Sequence, residues 1–321
     1  MSGLSEFQII DRFFRRPAPG AILGVGDDAA LLAPTPGCEL AVSVDMLVAG
    51  RHFFADVDPE ALGHKALAVN LSDLAAMGAR PRWALLAGAL PEADPEWLAR
   101  FARGFFALAE RYEVDLVGGD TTRGPLNLCI TILGEAPAGQ ALRRSGARAG
   151  DRIWISGTLG AAALALQQLL GRVTLPPGDF ASCEEQLLRP QPRVELGLRL
   201  LKIAASAIDV SDGLLSDLAH VLDASAVGAD IDLARIPRAP ALDRLRDNAA
   251  IARHCVLAGG DDYELCFTAA PAHDPALHAL SAELGLALTP IGTITADRAL
   301  IVREDGVPLP ELPRGFDHFA S

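Results

Sequence analysis

Lysine is nearly absent from the 321-residue chain: only Lys65 and Lys202 occur, and arginine supplies the other basic side chains. No segment reads G-x-x-x-x-G-K-[ST], which excludes a P-loop nucleotide site. The 41 acidic residues outnumber the 28 basic ones and give a net charge of −13. A charge of this sign argues against a nucleic-acid partner.

Long hydrophobic runs are also missing, although half of the residues are hydrophobic and the mean hydropathy is +0.25. The stretch "WALLAGAL" ends at Pro91, and "LGAAALALQQLLG" contains two glutamines. Neither approaches the roughly 18 apolar residues of a membrane-spanning helix. The start, "MSGLSEFQIIDRFFRR", has no basic segment ahead of its apolar positions, unlike a signal peptide. We therefore expect a cytoplasmic protein without a membrane partner.

Cysteine pairs of the C-x-x-C type do not occur. An odd number of scattered cysteines, without metal-ligand spacing, predicts reduced thiols that lie mostly in the core. The five are Cys38, Cys129, Cys183, Cys255 and Cys266.

Strand-like and helix-like segments mix along the chain, which predicts an α/β or α+β layer structure in each half. The apolar, β-branched stretch "LAVSVDMLV" predicts a buried strand over 40–48, and Pro59 and Gly78 delimit a predicted helix. We expect a further helix over about 192–205. Residues 171–183, which contain "PPG", predict a loop, and whether it forms a lid or a surface connection stays open.

A polar, Arg- and Gly-rich stretch, "RRSGARAGD", indicates a domain boundary near 136–150. It divides the chain into an N-terminal domain over 1–140 and a C-terminal domain over 141–321.

The acidic residues concentrate beside glycines at the ends of apolar segments. "GVGDDAAL" begins like a dinucleotide-binding loop, yet Asp27 and Asp28 occupy the turn that a pyrophosphate would approach. Each aspartate alone is compatible with an ordinary turn. Two adjacent acids ahead of an apolar run are harder to explain in that way.

Two more acidic positions lie inside apolar elements. Ser43 and Asp45 are two residues apart in the predicted strand, so their side chains share one face. Asp45 is either paired or metal-bound, or it lies just past the strand end and accepts backbone hydrogen bonds. Asp73 shares a face of the predicted helix with Asn70, which is either a ligand face or a solvated one.

Three further segments repeat the combination of glycine and aspartate. Asp120 follows a glycine pair that permits close approach of the backbone. The segment "DVSDGLLSD" contains Asp209, Ser211, Asp212 and Asp217. Helix capping explains one of these residues, either Ser211 or Asp212, and not the others. A last glycine pair precedes "DDYEL".

Several carboxylates that converge without lysine would repel each other by several kcal/mol. A hard divalent cation with oxygen ligands is the natural counter-charge, and Mg²⁺ suits it best. Mg²⁺ usually completes its coordination shell with water and substrate phosphates. The pattern therefore predicts phosphoryl transfer assisted by several Mg²⁺ ions, in a cleft formed by both halves.

Eight motifs together resemble the thiamine-monophosphate kinase family of the PurM-like ATP-binding superfamily. They occur in order over about residues 3–319, and the series is specific where a single "GGD" is not. The motifs are "GVGDDAAL", "SVDMLVAGRHF", "NLSDLAAMGARP", "LVGGDTT", "LRRSGARAGD", "DVSDGLLSDLAH", "GGDDYEL" and "GFDHF".

The resemblance implies a two-domain PurM-like fold whose N-terminal sheet pairs with that of a second subunit in a barrel-like homodimer. It implies ATP- and Mg²⁺-dependent phosphorylation of thiamine monophosphate to thiamine diphosphate by direct in-line transfer, without a covalent nucleophile or a general base. The implied metal ligands are Asp28, Ser43, the Val44 backbone, Asp45, Asp73, Asp120, Asp209 and Asp212, with Asp27 as a further candidate. The implied ATP contacts are Gly119, Asp120, Arg144 and Ser211, and the implied thiamine-phosphate contacts are His52, Glu264 and Phe316.

The sequence departs from the family pattern at Arg51, where the family often has a small apolar residue, and it lacks a clear counterpart of a tyrosine near the adenine. Aminoimidazole-ribonucleotide synthetase, selenophosphate synthetase and the hydrogenase maturation factor HypE are alternatives within the superfamily. A nucleotide or metal sensor without catalysis is the alternative from another class.

Overall fold

The structure is a computed structural model that describes residues 4–245 and 248–316. The chain forms two compact units. Unit 1 comprises Met1–Leu74 and Ala79–Gln140, and unit 2 comprises Ala75–Gly78 and Ala141–Ser321.

Unit 1 begins with a short helix whose N-terminus is closed by a reciprocal pair of hydrogen bonds between Ser5 and Gln8. A turn of π-helix, Ile10–Phe14, continues it. The elements of unit 1 are α1 (Glu6–Ile9), β1 (Cys38–Val48), α2 (Pro59–Ala76), β2 (Arg80–Leu90), α3 (Pro95–Arg111), β3 (Asp115–Arg123) and β4 (Asn127–Pro137).

The four strands of unit 1 form one sheet in the order β1-β4-β2-β3, in which only β2 and β3 run parallel. The β1–β4 register places Ser43 opposite Ile132 and Asp45 opposite Ile130, so these side chains share the face whose isoleucines are buried. The alternate residues of β1 point the other way, where Val42 and Val44 are 60% and 57% exposed. The expected strand over 40–48 is therefore present, but it is an edge strand with one open face.

Unit 2 contains a larger sheet with strand order β11-β10-β7-β9-β5-β8-β6. Its core is built from strand residues such as Ile155 and Val210 packed against helix residues such as Leu164 and Leu218. Its elements are β5 (Arg152–Ser156), α4 (Ala161–Leu169), α5 (Pro177–Leu188), α6 (Val194–Leu200), β6 (Ser206–Val210), α7 (Leu214–Ser225), β7 (Gly228–Asp232), α8 (Ala249–Ala258), β8 (Glu264–Ala269), α9 (Asp274–Leu284), β9 (Leu288–Thr295), β10 (Leu300–Glu304) and β11 (Val307–Pro308).

Two expectations for unit 2 were wrong. Residues 171–183 are not a loop throughout, because α5 begins at Pro177 and buries Cys183 and Leu187. Proline is well accommodated in the first turn of a helix, where its missing N–H has no intrahelical acceptor. The helix expected over 192–205 is shorter and ends at Leu200, where turns lead into β6.

The cysteines follow the expectation from their spacing. All five are free thiols, and three of them, Cys183, Cys255 and Cys266, are buried in unit 2.

Candidate functional site

Oxygen-bearing side chains lie on the inner face of β1 in unit 1. The Ser43 hydroxyl of β1 donates a hydrogen bond to the Asp73 carboxylate of α2 and so links the strand to the helix. Asp45 lies on the same face of β1, two residues along the strand, and is half-buried. The structure thus brings Ser43 and Asp73 together, and the alternative of a fully solvated helix face does not hold for Asp73.

Asn70, three residues before Asp73, is 1% exposed and only partly satisfied. Its Nδ2 donates to the Ala66 carbonyl at 3.0 Å, while its buried Oδ1 has no hydrogen-bond partner within the described residues. An unpaired buried acceptor costs about 1–3 kcal/mol. This acceptor, together with the oxygen-only donor set of Ser43, Asp45 and Asp73, is compatible with a hard cation and its bound water.

His52 lies just past the end of β1 and closes a tight turn. Its Nδ1 accepts a hydrogen bond from the Val48 N–H at 3.0 Å, and its own backbone N–H donates to the Val48 carbonyl. In the neutral imidazole the proton therefore lies on Nε2. The next residue, Phe53, is buried and anchors this turn.

A cavity of about 840 Å³ in unit 1 brings two of the glycine–aspartate segments together. Its lining includes Asp27 and Asp28 from the "GDD" loop and Gly119 and Asp120 from β3. A backbone pair between Leu23 and Leu31 closes the base of the loop. Asp27 accepts a hydrogen bond from the Asp28 N–H at 2.9 Å, so the Asp27 carboxylate is partly used within its own turn.

Gly119 allows the two parallel strands at this cavity to approach. Its φ is +148°, and a Cβ there would overlap the carbonyl oxygen of Leu86, its partner in the β2–β3 register. Only glycine fits this position without displacing the strand. The neighbouring Gly118 lacks this constraint, since a Cβ added there would have a Leu85 methyl carbon as its nearest neighbour, at 3.0 Å.

Arg15 is the one basic side chain in the described lining of this cavity. Its Nε forms an ion pair with Asp11 at 2.9 Å, and its guanidinium lies beside Gly26. The arginine therefore places positive charge next to the paired aspartates of the loop.

In unit 2, Asp217 organises the "DVSDG" loop that follows β6. Its Oδ2 accepts hydrogen bonds from the N–H groups of Ser211, Asp212 and Gly213 at 2.9, 3.0 and 3.1 Å. Burial, reinforced by the nearby charges of Asp209 and Asp212, raises the pKa of Asp217 to about 7. Asp209 is buried at the end of β6, and Ser211 and Asp212 are half-buried.

A second loop of unit 2 is pinned against the first. Asp261 and Tyr263 both have positive φ, +67° and +51°, and their N–H groups donate to the carbonyls of Ser211 and Val210. Non-glycine residues in this region carry strain that the surrounding structure must compensate. Between them, Asp262 accepts from the Gly160 N–H at the start of α4, and burial raises its pKa well above the usual range.

The last described residues of the chain lie beside the "DVSDG" loop that follows β6. The Phe316 N–H donates to the Asp212 carbonyl at 3.2 Å, and the Phe316 residue is 51% exposed. Phe316 is therefore held by its backbone while about half of its surface faces solvent. The rest of the "GFDHF" motif lies outside the described residues.

Glu264, the first residue of β8, is 4% exposed and ion-paired with Arg193. The Arg193 Nε donates to Oε2 at 2.7 Å and its Nη2 donates to Oε1, while the Ser156 hydroxyl donates to Oε2 at 2.5 Å. Burial raises the pKa of Glu264, and the arginine and serine act against that rise.

Arg144 lies at the surface of unit 2, in the segment that precedes β5. Its carbonyl accepts a hydrogen bond from Ser225 of α7, whose hydroxyl also accepts from the N–H groups of Gly146 and Ala147. The segment is fixed by its backbone, and the Arg144 side chain is exposed.

Not all predicted ligands converge within one unit. Among residues 4–245 and 248–316, no three His, Cys, Asp or Glu side chains are grouped closely enough to hold a metal ion. Asp27, Asp28 and Asp120 line the cavity of unit 1. Ser43 of β1 is hydrogen-bonded to Asp73, and Val44 and Asp45 lie on the same strand. Unit 2 carries Asp209 and Asp212. In the described part of the chain, no helix combines the length and apolarity that a bilayer span requires.

Sequence reasoning missed Arg15 and Arg193. Arg193 pairs with a residue 71 positions away, and no local pattern in "RPQPRVELG" marks it.

Comparison with known proteins places this arrangement in a known class. Residues 26–136 match the family model described as "AIR synthase related protein, N-terminal domain", and residues 148–305 match the corresponding C-terminal domain. The chain is thus a two-domain, PurM-like protein, as the sequence predicted.

Full-length relatives identify the family within this class. The thiamine-monophosphate kinase of Salmonella typhimurium is 46% identical over 321 residues, which cover 98% of each chain. A crystal structure of thiamine-monophosphate kinase from Stenotrophomonas maltophilia is 50% identical, with a TM-score of 0.85 over 94% of this chain and 97% of that one. A structure described as AaThiL complexed with AMPPCP and TMP is 29% identical, with a TM-score of 0.78 over 89% of each chain. The chain belongs to the thiamine-monophosphate kinase family.

Proposed function

We propose that this protein transfers the γ-phosphoryl group of ATP to thiamine monophosphate, giving thiamine diphosphate and ADP. Identity of 46% over the whole length to a relative with this name carries the proposal. The complex of a structural relative with AMPPCP and TMP supports ATP as co-substrate and a thiamine phosphate as acceptor.

The acceptor is a phosphate, whose second pKa is near 6, so it is largely ionised at neutral pH and needs no strong base. The side chains proposed as metal ligands are carboxylates and one hydroxyl, and none of them is assigned the role of a base. Catalysis then consists of in-line positioning and of cancelling charge on two anionic phosphates.

Mg²⁺, when bound, would neutralise charge on the phosphates and hold them in line. The oxygen-only character of the candidate residues and the unpaired Asn70 acceptor support this ion. The residues that would hold it are Asp28, Ser43, the Val44 backbone, Asp45, Asp73, Asp120, Asp209 and Asp212, and Asp27 is a weaker candidate because its carboxylate caps its own turn.

We assign the following substrate contacts. Gly119, Asp120, Arg144 and Ser211 contact ATP. His52, Glu264 and Phe316 contact thiamine phosphate: His52 through Nε2, and Phe316 through its half-exposed ring, because an aromatic face attracts the cationic thiazolium. The N-terminal domain accordingly carries most of the proposed metal ligands and part of the nucleotide site, and the site operates in the cytoplasm.

The protein is proposed to act as a homodimer. β1 is an edge strand, and it exposes a continuous row of apolar side chains on the face opposite Ser43 and Asp45. A second copy of the chain would cover this row, since a long apolar edge strand otherwise promotes aggregation. The row consists of Leu40, Val42, Val44 and Met46, which are 43–60% exposed.

The test is an assay of ADP and thiamine diphosphate with purified protein, ATP, Mg²⁺ and thiamine monophosphate. A panel of other acceptors, including formylglycinamidine ribonucleotide and selenide, covers the alternatives within the superfamily. Formation of thiamine diphosphate in stoichiometric amount with ADP is expected. Turnover with another acceptor but none with thiamine monophosphate would refute the proposal, and nucleotide binding without any turnover would favour a sensor.

A further inference from the structure

One carboxylate oxygen of Asp217 holds three consecutive backbone N–H groups ahead of its own helix. Asp217 is the fourth residue of α7 and is 4% exposed. Side chains of a helix lean towards its N-terminus, so a carboxylate at this position reaches back over the preceding loop. Its Oδ2 accepts from the N–H groups of Ser211, Asp212 and Gly213. Convergent N–H groups of this kind attract anions, and here a carboxyl group of the chain itself fills the place.

The same three peptide units are also used on their opposite side. In a planar trans peptide, the N–H of one residue and the C=O of the residue before it point in opposite directions. The carbonyls of residues 210, 211 and 212 therefore point away from Asp217. Each of them accepts a hydrogen bond from a residue distant in sequence: Val210 from Tyr263 at 2.8 Å, Ser211 from Asp261 at 2.9 Å and Asp212 from Phe316 at 3.2 Å. Each peptide unit from 210 to 213 is thus fixed on both sides.

Two of these donors belong to a strained turn. Asp261 and Tyr263 have φ of +67° and +51°, a conformation that the surrounding structure must compensate. If the peptide between residues 210 and 211, or that between 211 and 212, rotated, the turn would lose an acceptor and face an N–H group instead. The orientation of these two peptides therefore stabilises the turn.

The third donor belongs to the C-terminal segment, which packs closely on the loop. A Cβ at Gly315 would lie 2.7 Å from the Asp212 carbonyl oxygen and 2.7 Å from the Cβ of Ser216. The backbone of Gly315 thus lies against both the loop and the first turn of α7. Together with the hydrogen bond to Asp212, this contact sets the position of Phe316.

We propose that Asp217 is a positioning residue for the reaction: by holding the N–H groups of residues 211–213, it aims the carbonyls that seat Phe316 and the turn over 261–263, and it fixes the loop that carries Ser211 and Asp212. Asp217 itself contacts neither substrate. The inference rests on the proposed function, in which Asp212 binds Mg²⁺, Ser211 contacts ATP and Phe316 contacts thiamine phosphate. It adds the one buried oxygen that couples these three contacts.

Hydrogen exchange measured by mass spectrometry tests this coupling in protein without nucleotide or metal. In Asp217→Ala, the N–H groups of Asp261, Tyr263 and Phe316 should exchange at least about tenfold faster than in the wild type, because their acceptor carbonyls are no longer held. Strands β7 and β10, which lie at the other side of the sheet, should keep the exchange of the wild type. Asp217→Asn keeps an acceptor oxygen and should give intermediate rates.

Steady-state kinetics measures the consequence for the reaction. Asp217→Ala should raise the Mg²⁺ concentration for half-maximal turnover about 10- to 100-fold, the usual effect of removing a group that orients a metal ligand. It should also raise KM for ATP and KM for thiamine monophosphate, since Ser211 and Phe316 move with the loop. Asp217→Asn should recover part of each loss.

Gly315→Ala separates the seat of Phe316 from the rest of the loop. The added methyl group would meet the Asp212 carbonyl oxygen, so the C-terminal segment must move, while the N–H groups stay on Asp217. KM for thiamine monophosphate should rise about 2- to 30-fold, the effect of one lost cation–π contact. KM for ATP and the Mg²⁺ requirement should change less than about twofold. The double variant with Asp217→Ala should have a KM for thiamine monophosphate little above that of Asp217→Ala alone, because both displace the same residue.

Two controls are matched to these variants. Gly178→Ala, on α5, places a Cβ where no atom lies within 4 Å, and it should leave every readout unchanged. Thr268→Val removes a buried hydrogen bond of unit 2, which joins Thr268 to Ser206 at 2.7 Å. It should lower the melting temperature and leave both KM values and the Mg²⁺ requirement unchanged.

A purely structural role of Asp217 predicts the pattern of Thr268→Val, with faster exchange throughout unit 2 and unchanged kinetic constants, and this result would overturn the inference. If Asp217→Ala does not fold, Asp217→Asn and Gly315→Ala carry the test. Exchange as in the wild type at all three amides in both variants would then overturn it. Absence of any turnover by the wild type would instead reject the proposed function, and the exchange rates would still decide whether Asp217 positions the three segments.

Discussion

Replacing Gly119 by alanine perturbs a close backbone contact between β2 and β3, where Gly119 pairs with Leu86. The added methyl group would meet the Leu86 carbonyl oxygen, which belongs to the backbone and cannot rotate away. The residue would also have to hold φ at +148°, a conformation that side chains rarely tolerate. β3 is the edge strand of its sheet, so relief requires that it move away from β2.

The expected cost follows from these two terms. A non-glycine residue in an unfavourable backbone region costs about 1–3 kcal/mol. Forcing an extra carbon into a packed region costs about 1–3 kcal/mol more. Together they predict a destabilisation of about 2–6 kcal/mol, which lowers the melting temperature by roughly 4–24 °C at this domain size.

Thermal unfolding measures the effect, and Gly118→Ala is the matched control. At Gly118 the nearest neighbour is the flexible Leu85 side chain, so alanine there should cost less than about 1 kcal/mol. Both glycines line the cavity of unit 1, but only Gly119 is a proposed ATP contact. Gly119→Ala should therefore reduce the stabilisation that ATP and Mg²⁺ give more than Gly118→Ala does. Equal melting temperatures for the two variants would refute the reasoning.

Three further predictions concern other parts of the chain. Asp45→Asn should abolish Mg²⁺-dependent turnover and shift the melting temperature by less than about 3 °C. The control Asp56→Asn, at an exposed aspartate, should keep full activity. An active Asp45→Asn enzyme would refute the role of Asp45 as a metal ligand. Val42→Asp should convert the proposed dimer into monomers, as measured by light scattering, because it places a charge in the apolar row of β1. The control Val307→Asp, also at an exposed valine, should leave the dimer intact. A dimeric Val42→Asp protein would exclude β1 from the interface. Native protein at pH 8 should react with a thiol reagent only at Cys38 and Cys129. Burial raises the pKa of Cys183 to about 11 and that of Cys255 to about 12, and it also raises the pKa of Cys266. Rapid modification of Cys266 in folded protein would contradict its placement in the core.

The sequence contained most of what defines the fold. Apolar periodicity, prolines and glycines predicted the positions of most strands and helices, and the ordered series of motifs identified the family. The loop expected over 171–183 failed because consecutive prolines are compatible with a helix start as well as with a turn. At this segment, unlike at Pro59, the prediction treated proline only as a residue that interrupts a helix.

The candidate site was predictable in its residue types more than in its contacts. The two-residue spacing of Ser43 and Asp45 correctly gave a shared face, because strand geometry is local. The bidentate pair of Arg193 with Glu264 was not predictable, because it depends on how the segment before α6 packs near β8. Asp217 was noted as one acid among several, but its three backbone hydrogen bonds became visible only in the folded loop.

The alternation along β1 has a consequence for how this strand can change. Odd-numbered positions such as Ser43 and Asp45 face the helices, and even-numbered positions such as Val42 and Val44 face outward. A one-residue insertion or deletion before Ser43 that shifts the register would exchange the two sets, exposing the oxygen ligands and burying valines in their place. A two-residue change would preserve both faces. Insertions and deletions near this strand should therefore be tolerated when they change its length by two residues and rejected when they change it by one. The register of β1 thus determines both the residues at the candidate site and the residues at the proposed dimer interface.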